Sequence, residues 1–334
     1  MQPCRLGIVG ADRYGDLLMD VLSRSDRFQV AAISDPRAEV LRRYEGENAS
    51  WQLFDDPREM ILRSDLQMLM VWRGDGHEDS LLLALDKGVW MALRAAGEMS
   101  TDFSTKLLRQ ARKQHVGAFL WMPWTFVPSF QSVTESLGDR QVRLVLARVA
   151  ASDETLDWPT LAHPLVAVAY PSIVLVQRWM GLPERVFCRE TVDPGQDSNR
   201  PVCYGCTLSL IYPQAVASVF ASLNAGPDRC EFSIQTSDGT VEAGLPQTHW
   251  YDCRGTLVAG TENYTTDQAR RIGYERNLNA LWQAYQERQG ATEFDLRRHI
   301  GVMAVLEAAA LSARTGDPEQ LAKVAELSEI VALG

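Results

Sequence analysis

Short apolar runs alternate with segments of helical periodicity through the first third of the chain. Arg5–Val9 and Leu66–Val71 have the length of buried strands, and Asp16–Leu22 has apolar residues at helical spacing. Such alternation predicts a doubly wound parallel sheet with right-handed crossovers. The predicted strands are 5–9, 30–34, 51–54, 66–71, 89–93 and 118–122, and the predicted helices are 16–25, 37–45, 57–63, 79–87 and 102–115.

The pattern changes after Pro123 and Pro128, where strands follow one another with short turns. This order is typical of an antiparallel or mixed sheet. The predicted elements are helices at 128–137 and 164–180, strands at 142–151, 185–191, 202–212, 215–223, 230–236 and 240–243, and closing helices at 265–289, 295–315 and 318–331. We therefore expect an α/β chain of two domains: a doubly wound domain at 1–122, and an α+β domain with a large, open, mostly antiparallel sheet at 123–334.

Composition and charge indicate which classes of binding partner this protein is suited to. The 334 residues are 46% apolar and 23% charged, which is ordinary for a soluble globular protein. A net charge of −10 argues against a nucleic-acid or anionic-membrane partner. The longest apolar run, 165–176, is too short and too interrupted to span a membrane, and the early first strand leaves no room for a signal peptide.

The six cysteines form no disulfide framework, so we expect a reduced, cytoplasmic setting. Cys203 and Cys206 lie three apart in a predicted strand and therefore point to opposite faces. No second Cys-x-x-Cys exists in the sequence, and we predict structural thiols and no metal site.

The turn after the first predicted strand contains the most informative motif of this sequence. It comprises Gly10, Ala11, Asp12, Arg13, Tyr14 and Gly15. The place and the outer glycines match the Gly-x-Gly-x-x-Gly turn of a Rossmann dinucleotide-binding domain, but its middle glycine is Asp12. A carboxylate roughly 4–5 Å from a phosphate costs about 3–4 kcal/mol at an effective dielectric near 20. Unless Asp12 points away or pairs with Arg13, we expect NAD or NADP to bind weakly or not at all.

Asp35 ends the second predicted strand, 20 residues after Gly15. A carboxylate in this place holds the ribose hydroxyls of NAD, although Asp35 could also cap the turn before Pro36. Arg37 could meet the 2′-phosphate of NADP, or lie solvated at the start of the next helix.

The order of the two domains and the closing helices resembles the Gfo/Idh/MocA family over nearly the whole chain. The segments that carry this resemblance are His77 to Gly88, Glu275 to Leu281, and Asp295 through Ala308 to Ser312-Ala313-Arg314-Thr315-Gly316. The resemblance implies an NAD(P)-dependent oxidoreductase fold that acts on sugars, inositols or other polyols. It also implies a homo-oligomer formed through the C-terminal sheet, and an architectural role for His77 at the mouth of the cleft.

The catalytic motifs of that family are replaced in this sequence. Its Glu-Lys-Pro motif falls on Arg94, Ala95 and Ala96, so the lysine that contacts the nicotinamide ribose and the substrate hydroxyl is absent. Lys106 on the next helix lies too far away to stand in. Arg94 places a fixed positive charge at the cleft floor, which could bind a carboxylate or phosphate, or pair with Glu98 or Asp12.

The family's Asp-x-x-x-His-x-x-Asp motif falls on Ala167, Pro171 and Val174. A shift of one residue would put Tyr170 at the histidine position, and some family members use tyrosine there as the proton donor. Such a phenol needs a lowered pKa. His163 precedes the helix and is the other candidate acid or base.

Three functions follow from these replacements. The first is a catalytically degenerate or repurposed homologue that binds a small, sugar-like or polyol-like ligand or supports an active partner. The second is a working NAD(P)-dependent oxidoreductase that uses Tyr170 or His163. The third is a lyase or hydrolase in the same cleft. Trp121, Trp124 and Trp158 flank the domain junction, where they could stack on a sugar ring or form a hydrophobic hinge.

Overall fold

The computed structural model describes residues 2–10, 15–45, 51–72, 77–94, 101–151, 169–193, 202–223, 229–245, 248–254, 256–260, 264–288 and 296–323. The chain divides into two compact units. The first comprises Met1–Pro123 and Tyr274–His299, and the second comprises Trp124–Gly273 and Ile300–Gly334. The division into folding domains at residues 122 and 123 stays a prediction.

The first unit is built on a six-stranded parallel sheet, which confirms the predicted doubly wound architecture. Its strands are β1 (Cys4–Val9), β2 (Phe28–Ser34), β3 (Gln52–Phe54), β4 (Met68–Val71), β5 (Trp90–Arg94) and β6 (Ala118–Trp121). They lie in the order β3-β2-β1-β4-β5-β6. All four residues of β4 are buried, as expected for a central parallel strand covered on both faces.

Five helices alternate with these strands. They are α1 (Gly15–Ser23), α2 (Ala38–Tyr44), α3 (Pro57–Arg63), α4 (Glu78–Asp86) and α5 (Thr101–Lys113). Local sequence sets the start of α3, because Pro57 occupies its first turn and the carboxylate of Asp56 accepts a 2.7 Å hydrogen bond from the Arg58 amide.

The strand order reverses between β1 and β4, and this point fixes where a ligand can bind. In open α/β sheets ligands bind beyond the carboxyl ends of the strands at such a reversal. Gly7, inside β1, lets this strand pack closely against Leu66 and Leu69. A Cβ at Gly7 would lie 2.7 Å from Leu66 Cδ1 and 2.8 Å from Leu69 Cδ2.

The second unit contains a nine-stranded sheet. Its strands are β7 (Val142–Ala151), β8 (Arg185–Asp193), β9 (Val202–Ile211), β10 (Val216–Leu223), β11 (Arg229–Thr236), β12 (Gly239–Gly244), β13 (Thr248–Asp252), β14 (Leu257–Gly260) and β15 (Glu319–Gln320). The order is β14-β13-β12-β11-β7-β10-β9-β8-β15. Among the described pairs, β7 and β10 run parallel and the others antiparallel, which confirms a large and mostly antiparallel sheet.

The two faces of this sheet differ. Helices α6 (Pro128–Leu137) and α7 (Tyr170–Met180) pack against it, and burial alternates along β11 and β12. Leu146 and Phe220 point to the other side, where they are 38% and 46% exposed. The closing helices are α8 (Thr266–Gln286) and α9 (Leu296–Thr315), and one 3₁₀ turn covers Pro123–Phe126.

The predicted helix at 318–331 is wrong over its described part. Gly316, with a φ of +80°, follows the end of α9, and Glu319–Gln320 then pairs with β8 before a 3₁₀ turn at Leu321–Lys323. The Leu321 amide donates a 3.0 Å hydrogen bond to the carbonyl of Glu184, so tertiary pairing outweighs the local helical pattern. Residues 324–331 lie outside the described residues.

The sequence patterns missed β13 and β14. Only Thr248 is buried in β13, whose other residues are half-buried, so the apolar and polar alternation that indicates a strand is weak. The predicted helix at 164–180 is described from Tyr170 onward, with Pro171 in its first turn, where proline is tolerated.

Candidate ligand site at the carboxyl ends of the parallel strands

The turn after β1 has the strand-turn-helix form that binds phosphates in many α/β domains. Gly10 has a φ of +73°, which glycine adopts without strain, and its amide donates a 2.8 Å hydrogen bond to the Ser34 carbonyl of β2. Helix α1 begins at Gly15. Ala11, Asp12, Arg13 and Tyr14 lie outside the described residues.

The Asp35 and Arg37 side chains form a bidentate ion pair at the end of β2. Arg37 donates from Nε to Oδ1 and from Nη2 to Oδ2, both at 2.9 Å, and its amide donates to Oδ1 at 3.0 Å. The Asp35 side chain is fully buried, whereas that of Arg37 is 34% exposed. The sequence predicts Asp35 and Arg37 as alternative ligands, for the ribose of NAD and for the 2′-phosphate of NADP. In the structure the two side chains bind each other.

This ion pair reduces the number of hydrogen-bond acceptors that the Asp35 carboxylate has left for a ribose. A carboxylate has about four acceptor positions, and three of them are taken by Arg37. The remaining acceptor capacity is too small for two ribose hydroxyls unless Arg37 moves. The guanidinium meanwhile places a positive charge beside the carboxylate.

A row of three large side chains lies at the carboxyl ends of β4, β5 and β6. Arg94 is in register with Trp121, and Val71 with Leu93, so Trp72 is next to Arg94 in the same row. Paired residues of parallel strands point to the same face. We call this set the Trp72–Arg94–Trp121 row.

The two indoles of this row contact each other and are shielded from solvent. Their ring centroids are 5.9 Å apart at 39°, and each tryptophan is 2% exposed. The Trp72 amide also donates a 2.8 Å hydrogen bond to Val9 of β1, which places Trp72 at the reversal of the strand order. Neither indole Nε1 has a hydrogen-bond partner within the described part of the chain.

Helix α8 supplies two further side chains at this edge. Tyr274 packs edge-on against Trp121, with centroids 5.5 Å apart at 83°. Asn277 is fully buried, and its Oδ1 accepts a 2.9 Å hydrogen bond from the Met122 amide. Its Nδ2 makes no hydrogen bond to a described residue. Sequence reasoning missed Trp72 and Asn277; a tryptophan directly after a buried strand was the one available signal.

His77 lies at the N-cap of α4, is half-buried, and makes no capping hydrogen bond through its side chain. Its carbonyl accepts a 3.0 Å hydrogen bond from the Leu81 amide. Lys106, on α5, has its Nζ 2.6 Å from a carboxylate oxygen of Asp102 on the same helix. His77 therefore has the contacts of a residue at the start of a helix, and Lys106 those of a residue on a helix surface.

The predicted acid or base position belongs to the second unit, at the start of α7. Tyr170 is buried, and desolvation raises the pKa of its phenol well above the ordinary value of 10.0. This direction is opposite to the lowered pKa that proton transfer by a phenol near neutral pH requires. Pro171 and Val174 carry no titratable group, and Ala167 and His163 lie outside the described residues.

The described residues contain neither a cluster of metal ligands nor a membrane-spanning helix. Among the described residues, no three histidine, cysteine, aspartate or glutamate side chains cluster as metal ligands would. None of the described helices combines the length and hydropathy needed to cross a bilayer.

No protein-family model matches the sequence, and no curated protein matches it. Solved structures do match. An oxidoreductase from Agrobacterium radiobacter, solved with NAD+, L-tartaric acid and magnesium, shares 13% identity at a TM-score of 0.80, with 95% of this chain and 98% of that chain covered.

Two further structures are similar over their whole length. A protein from Desulfitobacterium hafniense named as an NADPH-dependent oxidoreductase has a TM-score of 0.81 at 12% identity, covering 97% of this chain and 100% of that one. An oxidoreductase domain protein from Kribbella flavida has a TM-score of 0.81 at 17% identity, with the same coverage. The chain therefore has the fold of these oxidoreductases, and identity this low shows the fold alone.

Proposed function

We propose that this chain is a Gfo/Idh/MocA-type protein that binds a small molecule at its parallel sheet and no longer transfers hydride. The observation that carries the proposal is the start of α7, where Pro171 and Val174 occupy two of the three motif positions. The remaining candidate there, Tyr170, has its pKa raised by burial. Hydride transfer to or from an alcohol needs a group that exchanges the hydroxyl proton near neutral pH.

Two features of the first unit support the same proposal. Arg94-Ala95-Ala96 offers no lysine to hold the nicotinamide ribose and the substrate together. The side chain and the amide of Arg37 together occupy most of the Asp35 carboxylate that a ribose would need. Together with Asp12 in the turn, these features weaken cofactor binding at three separate points.

The similarity to solved structures favours a second candidate, an active NAD(P)-dependent oxidoreductase. One of those structures holds NAD+, and another is of a protein named for NADPH. In this case NAD or NADP would bind across Gly10–Gly15, with Asp35 or Arg37 at its ribose, and Tyr170 or His163 would exchange the proton.

Calorimetric titration with NAD, NADH, NADP and NADPH separates these candidates. We expect no binding by the wild type up to millimolar concentration and a gain of binding in Asp12→Gly. Asp12→Asn is the matched control, because it removes the charge and keeps the side-chain volume. A gain in both variants assigns the defect to charge, and a gain in Asp12→Gly alone assigns it to crowding of the turn.

Micromolar binding by the wild type would overturn the proposed loss of the cofactor. The second candidate then predicts turnover of a sugar or polyol substrate that falls by about two to four decades in Tyr170→Phe or His163→Ala. Folding of each variant is checked by its thermal transition, since Tyr170 is buried.

A further inference from the structure

Three buried hydrogen-bond donors without a described partner lie near one another at one edge of the six-stranded sheet. They are the Nε1 atoms of Trp72 and Trp121 and the Nδ2 atom of Asn277. More than nine in ten buried polar groups in folded proteins are hydrogen-bonded, to the protein or to another molecule. Three such donors at one place point to acceptors that the described protein residues do not supply.

The elements of the first unit place these donors on neighbouring residues at the carboxyl ends of β4, β5 and β6. Trp72 and Trp121 flank Arg94 in a single cross-strand row, and their rings are in contact. Asn277 is anchored to Met122, the residue after Trp121, through its own Oδ1. Tyr274 lies three residues before Asn277 on α8, on the same helix face, and packs on Trp121.

The side chains of this set supply many hydrogen-bond donors and few acceptors. An indole donates through Nε1 and accepts nothing, and a guanidinium carries five donors, a permanent positive charge and no acceptor. Asn277 uses one of the two acceptor positions of its Oδ1 on Met122, which leaves one acceptor position beside the two amide protons. Each hydroxyl of a polyol needs an acceptor for its own proton, and this set offers at most that one position. A carboxylate or phosphate oxygen accepts only, and gains charge-assisted hydrogen bonds from arginine.

We propose that the Trp72–Arg94–Trp121 row and Asn277 form an oxyanion subsite that binds the carboxylate or phosphate group of a small organic acid. This inference rests on the proposed ligand-binding function and names the chemical class of the ligand. Arg94 supplies the charge, and the two indoles and the carboxamide supply directed hydrogen bonds. The same set discriminates against neutral sugars, because at most one of their hydroxyl protons would find an acceptor in it.

The test observes the indole N–H groups directly. The full chain is labelled with ¹⁵N-tryptophan, which gives nine indole resonances, and those of Trp72 and Trp121 are assigned from Trp72→Phe and Trp121→Phe. Malonate, inorganic phosphate and the neutral analogue malonamide are titrated at constant ionic strength. We expect saturable downfield shifts of both resonances with malonate or phosphate, and none with malonamide.

Two variants with matched controls locate the charge and the donors. Arg94→Met keeps the aliphatic stem and should weaken anion binding by about tenfold or more. Arg24→Met, which removes an exposed partner of Asp20 just after α1, should leave it unchanged. Trp121→Phe keeps an aromatic ring and should weaken binding by about threefold to tenfold, whereas Trp90→Phe, buried at the other end of β5, should not.

Each outcome decides the proposal. A response to malonate alone or phosphate alone supports it and identifies the group. The proposal is overturned if neither anion shifts the two resonances, if malonamide shifts them equally, or if Arg94→Met leaves the affinity for the anion unchanged. The dinucleotide titration is decided separately, so that failure of the anion site and failure of the proposed loss of hydride transfer can be told apart.

Discussion

The two sheets of this protein use their side chains in opposite ways. The six-stranded parallel sheet is covered on both faces, and every residue of β4 is buried. The nine-stranded sheet packs helices on one face and leaves Leu146 and Phe220 exposed on the other. A sheet covered on both faces can meet a ligand only at the ends of its strands, whereas a sheet with one open face can meet a partner across its surface.

The largest expected effect concerns the open face of the nine-stranded sheet. The resemblance to the Gfo/Idh/MocA family implies a homo-oligomer through this sheet, and such an oligomer would bury Leu146 and Phe220. The double variant Leu146→Asp, Phe220→Asp would then bury two unpaired carboxylates, at a cost of about 2 kcal/mol each, and weaken association by about three decades. Light scattering after size exclusion measures the change in mass.

Leu62→Asp is the control, since Leu62 is an exposed leucine on α3 in the other unit. An unchanged mass in the double variant, or the same change in the control, would remove the open face as the oligomer contact.

The next effect compares the same substitution in both sheets. Leu69 is fully buried in β4, so Leu69→Ala should lower the free energy of unfolding by about 3 kcal/mol. Leu146→Ala on the open face should cost less than about 1 kcal/mol in the monomer. Urea denaturation, followed by hydrogen exchange to separate the units, measures both. Equal losses would mean that Leu146 is buried in solution.

An intermediate effect comes from the ion pair at the end of β2. Arg37→Met would leave the fully buried Asp35 carboxylate without its guanidinium and should destabilise the first unit by about 2 kcal/mol. Arg24→Met removes a solvent-exposed partner of Asp20 and should cost less than about 0.5 kcal/mol. Similar losses in the two variants would show that burial of Asp35 does not strengthen the pair. Thermal unfolding measures the difference.

The smallest effect belongs to the exposed ion pair of the second unit. Hydrogen bonds from Arg140 and then from Thr236 lower the pKa of Asp238 below its ordinary value of 3.8. A lowered folded-state pKa gives a stabilisation that is present above pH 3.8 and is lost as the pH falls through the folded-state pKa. Carboxyl NMR titration should show the pKa of Asp238 rising in Arg140→Met. No rise would exclude Arg140 as its cause.

Sequence patterns predicted the parallel sheet well because its strands are continuous apolar runs separated by helices of the opposite periodicity. They also placed Gly10, Asp35 and Arg94 at the ends of strands. They failed at 318–323, where pairing with β8 decides the structure, and at β13, where half-buried residues leave no alternation.

The candidate site was harder to predict than the fold. The Asp35–Arg37 pair involves neighbours only two residues apart, but proximity in sequence does not reveal which atoms bond. Asn277 reaches the end of β6 from 155 residues away. No periodicity connects two such positions, so a site of this kind is found only from coordinates.

The discontinuous make-up of the first unit also has a consequence for biosynthesis. Phe28 and Trp90 pack against Trp282 and Tyr285, which belong to the segment Tyr274–His299. The ribosome completes that segment roughly 175 residues after the first, a delay of roughly 10–35 s at about 5–20 residues per second. During this interval Phe28 and Trp90 are exposed on the nascent chain without the aromatic residues that later pack against them. A chaperone that binds exposed aromatic side chains would have the most time to bind during this interval.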